Sequence, residues 1–162
     1  MEFDIVAIPQ ALGAILAHGV RAGETRFKKG RVLSAADLAA IRDAGIATVA
    51  VARLEADDVP EDEAATRVAA LCGGAAVRIG AAFTGRVNLY ALRDGLTLID
   101  AATVEALNAI DEAVTIATVP PFARVAKNQM VATIKIIPFA APRAAVEAAE
   151  RILREPLLRI AP

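Results

Sequence analysis

Along most of this chain apolar and polar side chains alternate with the two-residue period of a half-buried strand. Phe3, Ile5 and Ala7 alternate with Asp4, Val6 and Ile8 in an opening strand that stops at Pro9. Gly13 to Val20 is a second extended segment, and Ile46 to Ala52, Val77 to Ala82, Val87 to Leu92 and Leu96 to Ile99 follow. Beyond Val114 come VTIATV, FARVA and MVATIKIIPF, the last being the strongest strand pattern, and LLRIAP closes the chain on a further strand-like run. Helical spacing interrupts this pattern in separate blocks. Ser34 caps a helix over Ala35 to Ala44, with Asp37 in the capping-box position and Gly45 as the C′ residue. A second helix begins at Pro60 with a stripe of Val68, Leu71 and Cys72 and ends at Gly73-Gly74. Asp100 caps a third, which runs to Asn108, and Pro142 opens a fourth whose stripe is Val146, Ala149, Ile152 and Leu153.

This order of elements predicts an α+β fold, β-rich, with about four helices and a capped strand-helix-strand unit at 31–52. Residues 1–162 form a single domain on this reading. The alternative is two lobes, one of 1–55 with 110–140 and one of 56–109. Tight turns are expected at Phe83-Thr84-Gly85-Arg86 and Lys127-Asn128-Gln129, and Arg93-Asp94-Gly95 carries a hairpin signal. The apolar ending suggests the N-terminal part of a longer protein.

Composition narrows the function classes. The chain is 56% apolar but only 4% aromatic, without Trp, so Ala and Val fill the core and stacking platforms for single-stranded nucleic acid are scarce. A net charge of −1 gives no global field toward nucleic acid or an anionic membrane, and neither partner is expected. No apolar run approaches the roughly 20 residues of a membrane span. Cys72 is the one cysteine, which excludes an internal disulfide, and the acidic N-terminus lacks a signal peptide's basic region. A cytoplasmic location is expected.

No catalytic motif stands out. Phosphate loops, the nucleophile elbow and the zinc helix motif are all absent, and the only serine, Ser34, serves as a cap. His18 has no carboxylate partner nearby in sequence, and Cys72 belongs to a buried stripe. The acidic run Glu55 to Glu63 lacks the spacing of a calcium loop. Two groups remain as binding candidates. One is the basic run with Arg21, Lys28, Lys29 and Arg31; the other is FTGRVN, where Thr84, Gly85, Arg86 and Asn88 offer a hydroxyl, a flexible backbone, a guanidinium and an amide. Solvated surface is the plain reading of the first, and a turn leading into a hairpin is the plain reading of the second. Lys135, mid-strand between Ile134 and Ile136, does not suit a swinging-cofactor carrier.

The run RAGETRFKKGRVLSAADLAAIRDAGIATVAVAR (Arg21 to Arg53) resembles a segment of molybdopterin molybdenumtransferases, and TGRVNLYA, IDEAVTIATV and QMVATIKIIPF resemble the N-terminal part of bacterial molybdopterin-binding proteins. The resemblance implies a role in molybdenum cofactor biosynthesis, non-catalytic within this chain, with molybdopterin as cofactor. It also implies a downstream cofactor-binding domain as partner. Under it, Arg21, Lys28, Lys29 and Arg31 would extend a surface for the pterin phosphate. The T-G-D-E-L step and S-N pair of those proteins are absent here, so their ligand-holding residues have no counterpart. Two other readings stay open: a self-contained small-molecule or nucleotide-phosphate binding domain or enzyme using Thr84 to Asn88, and a homodimerisation module.

Overall fold

A computed structural model describes residues 1–162 and divides them into two compact units, Met1–Ala56 and Asp57–Pro162. The fold is α+β and β-rich, with four α-helices. No helix is long and apolar enough to cross a membrane.

The first unit contains β1 (Glu2–Ala7), a 3-10 turn (Ile8–Ala11), β2 (Ile15–Leu16), β3 (Val20–Ala22), β4 (Thr25–Phe27), α1 (Ala35–Asp43) and β5 (Thr48–Arg53). β5 lies between β1 and β2 in an antiparallel sheet, while β3 and β4 form a separate hairpin. Gly13 to Val20 is not one strand: it breaks after Leu16 and resumes at Val20. Positive φ at Gly13 turns the chain just before that segment. The alternation of β1 points opposite to a simple amphipathic reading, because Val6 is buried while Phe3 and Ile5 are more than half exposed. Helix α1 forms as its cap residues dictate. The Ser34 hydroxyl accepts the Asp37 N–H at 3.3 Å, and the Asp37 carboxylate accepts the Ser34 N–H at 3.0 Å. Leu38 and Ile41 then pack with Leu16, Leu33 and Val51 in this unit's core.

The second unit contains β6 (Asp58–Pro60), α2 (Glu61–Cys72), β7 (Val77–Ile79), β8 (Arg86–Ala91), β9 (Gly95–Ile99), α3 (Ala101–Asn108), β10 (Val114–Thr118), β11 (Arg124–Val125), β12 (Met130–Ile136), β13 (Ala140–Pro142), α4 (Arg143–Ile152) and β14 (Leu158–Ala161). Its main sheet is antiparallel in the order β10-β12-β8-β7. A smaller sheet runs β11-β9-β14. Residues 110–140 therefore belong with the segment 56–109, not with 1–55, because β10 and β12 pair with each other and with β8. Pairing across that distance in sequence leaves no local signature. Helix α2 lays Ala64, Ala65, Val68, Ala69 and Cys72 on one face of the main sheet, against Val87, Leu89, Ile134 and Ile136. Alanines on this stripe let the helix come close to the strands. Leu71 falls off the stripe and is partly exposed. A bidentate ion pair, Arg67 to Glu150 at 2.8 and 2.9 Å, ties α2 to α4.

The Asp94-Gly95 dipeptide does not make a β8–β9 hairpin; those strands lie in different sheets. Gly95 is needed for a close approach, since a Cβ there would meet the Ala161 carbonyl oxygen at 1.9 Å. The tight hairpin turn of this unit is Thr84-Gly85, with φ of 48° and 69°, bracketed by reciprocal hydrogen bonds between Phe83 and Arg86 at 2.9 and 3.1 Å. Two consecutive positive φ values match the turn that follows strand twist.

Candidate functional site

Strand parity fixes what the uncovered face of the main sheet presents. In β8 the buried residues are Val87, Leu89 and Ala91, so Arg86, Asn88 and Tyr90 point to the face away from α2. In β12, Ile134 and Ile136 are buried, and Thr133 and Lys135 share the outer face. Register then brings these residues into rows. Arg86 lies opposite Lys135, which lies opposite Thr115; Asn88 lies opposite Thr133; Arg78 of β7 lies opposite Tyr90.

The rows combine two unlike electrostatic situations. Arg86 and Lys135 are like charges in directly opposed positions, an arrangement that is destabilising by itself. Lys135 is partly compensated, because its Nζ donates to the Thr84 carbonyl. Neither cation is in an ion pair. Arg78 stacks its guanidinium over the Tyr90 ring, 4.3 Å from the centroid. The Tyr90 hydroxyl accepts a long hydrogen bond, 3.4 Å, from Asn88 Nδ2. Asn88 Oδ1 and Thr133 Oγ1 are screened from solvent and have no hydrogen-bond partner. A buried polar atom left unpaired costs roughly 1–3 kcal/mol.

FTGRVN is thus split by the fold. Thr84 and Gly85 form the turn, and their backbone groups are occupied: Gly85 N–H donates to Asp62 Oδ1 at 2.7 Å, and Ile136 N–H donates to Gly85 O at 2.7 Å. A Cβ at Gly85 would also meet Glu61 Oε2 at 2.6 Å. Arg86 and Asn88 lie beyond the turn on the sheet face. Lys135, Thr133, Tyr90 and Arg78 join them there, a set that the sequence did not single out. Their period-2 alternation with buried Val, Leu and Ile was visible in RVNLYA and VATIKI; the register that brings them together was not.

The basic run divides as well. Arg31 is committed to the fold, donating from Nε and Nη2 to the two Asp37 carboxylate oxygens, each at 2.9 Å. It also lies over the Phe27 ring at 5.7 Å. The Arg31 guanidinium, followed by the Ser34 N–H, holds the Asp37 carboxyl down to about 2. Arg21 and Arg26 oppose each other across the β3–β4 hairpin, and Arg21 Nε donates to Gly23 O at 3.3 Å. With Glu24 they line a hollow of about 450 Å³. Lys28 and Lys29 are exposed next to that hairpin, as is His18. Cys72 is buried, its thiol pushed up to about 12 by desolvation, and it is no nucleophile at neutral pH.

Residues 5–53 match the model of a family described as a domain of unknown function, DUF8806. The match falls inside the first unit and runs from β1 through β5. No curated protein matches the chain, and no solved structure matches it.

Proposed function

We propose that this chain is a non-catalytic binding module for a phosphorylated small molecule, with molybdopterin as the ligand and molybdenum cofactor biosynthesis as the setting. The observation that carries the binding part is the opposed Arg86 and Lys135 on the uncovered sheet face, neither of them in an ion pair, beside the unpartnered Asn88 Oδ1 and Thr133 Oγ1. Repulsion between adjacent cations falls when a phosphate bridges them, so the ligand stabilises what the free protein tolerates. The identity of the ligand is supported by the resemblance of Arg21 to Arg53 and of TGRVNLYA, IDEAVTIATV and QMVATIKIIPF to molybdopterin proteins.

In this reading Arg86 supplies the fork for two phosphate oxygens and Lys135 a point charge. Thr133 Oγ1 and Asn88 Oδ1, screened from solvent in the free protein, gain ligand partners once the side chains over them move aside. Thr84 and Gly85 hold the turn and do not touch the ligand. A downstream domain would carry the chemistry, and the module would act in the cytoplasm.

Anaerobic isothermal titration of the intact chain with molybdopterin tests this reading. Binding that weakens roughly tenfold or more in Arg86→Ala and in Lys135→Met is expected, from the loss of a charge-assisted contact. Absence of binding heat, or wild-type affinity in both variants, would refute it.

A further inference from the structure

The smaller sheet of the second unit has a hollow of about 640 Å³ on its outer side. That volume is ample for a small organic ligand. Its floor is the cross-strand pair Leu98 and Arg159. One wall is the loop after α4, with Arg154 and Pro156; it is fixed by the Asp100 N–H donating to Leu157 O at 3.2 Å. Another wall is Phe122, 71% exposed and held at φ 60°. Phe122 is anchored through its backbone, its N–H donating to Thr97 O at 2.7 Å. The buried Thr97 hydroxyl fixes the same loop through Pro120 O at 2.8 Å and the Ala123 N–H at 3.0 Å. The backbone that carries the exposed Phe122 ring is therefore held in place.

The charges in this hollow are not equivalent. Arg154 and Arg159 have neither an ion pair nor a side-chain hydrogen bond. Of the two acids, Asp100 is spent on the N-terminus of α3: it accepts from the Ala102 and Thr103 N–H groups at 3.1 and 3.3 Å and from the Thr103 hydroxyl at 2.7 Å. Glu155 is the one unspent carboxylate, set against two unspent guanidiniums. Asp100 stays ionised, so two guanidiniums and two carboxylates leave the hollow neutral as a whole; its positive end is local, at Arg154 and Arg159, where one negative charge is favoured and Glu155 opposes a second. The apolar part of the lining includes Leu98, Ile152 and the Phe122 ring.

We propose that this hollow is a separate binding site for a small aromatic monoanion, a carboxylate or sulfonate. Its charged end lies at Arg154 and Arg159, and its ring lies against Phe122 and Leu98. The site is independent of Arg86 and Lys135 and does not rest on the phosphate reading.

Fluorescence titration of the intact chain with anilinonaphthalene sulfonate tests it, benzoate serving as competitor. Saturable binding to one site, displaced by benzoate, is expected. Arg159→Gln and Phe122→Ala should each weaken it roughly tenfold while leaving the far-UV circular dichroism spectrum unchanged. Arg86→Ala should not alter it. The proposal is overturned if binding is not saturable, if benzoate does not compete, if both folded hollow variants keep wild-type affinity, or if only Arg86→Ala weakens binding.

Discussion

Removing the Asp37 side chain separates the structural part of the basic run from any ligand-binding part. In Asp37→Ala the Ser34 N–H loses its acceptor and Arg31 loses both of its carboxylate contacts at 2.9 Å. Loss of one half of a capping box costs about 1 kcal/mol. The ion pair is bidentate, but Arg31 is 52% exposed, so solvent screening makes it the smaller part of the loss. The cap loss of about 1 kcal/mol lowers the melting temperature of a small unit by roughly 4–8 °C, and the lost ion pair adds to that. A double-mutant cycle with Arg31→Ala, followed by circular dichroism, should return a favourable coupling. The pH dependence has a definite sign. The folded carboxyl is depressed from 3.8 to about 2, so its contribution is fully present above pH 3.8 and is lost as pH falls through about 2. The gap between wild type and Asp37→Ala should be constant near neutrality and shrink on acidification below about pH 4. Equal stability at neutral pH, or a gap that grows in acid, would refute the reasoning.

Two further outcomes follow from the packing. Gly95→Ala places a methyl group 1.9 Å from the Ala161 carbonyl oxygen, which β14 can relieve only by leaving β9. Destabilisation of more than about 3 kcal/mol is expected in urea melts, whereas Gly13→Ala, with open space around its Cβ, should show only the smaller positive-φ cost. Cys72, buried with its thiol pushed up to about 12, should react with a disulfide reagent only as fast as the protein opens. Rapid modification under native conditions would contradict that burial.

What could be read from the sequence was what short-range chemistry decides. Ser34, Asp37 and Gly45 announce α1 because a cap is satisfied within four residues. Asp100 announces α3 for the same reason. Strand parity in MVATIKI was legible, and β12 is indeed central in the main sheet. Long-range pairing was not legible. The Asp94-Gly95 signal was misread because a glycine demanded by the close approach of β14 looks the same in sequence as one demanded by a turn. Arg31 was grouped with the ligand-facing cations, since a run of basic residues does not reveal which one a helix cap captures. Conversely Lys135 looked isolated in its strand, and only register sets it against Arg86.

The claim that the uncovered face of the main sheet binds a phosphorylated ligand is tested most directly by amide chemical-shift mapping of the intact chain during titration with molybdopterin. The account predicts that the largest shifts cluster at Arg78, Arg86, Asn88, Tyr90, Thr133 and Lys135. Shifts confined to the β3–β4 hairpin around Arg21 and Arg26, or no saturable shifts at all, would contradict it.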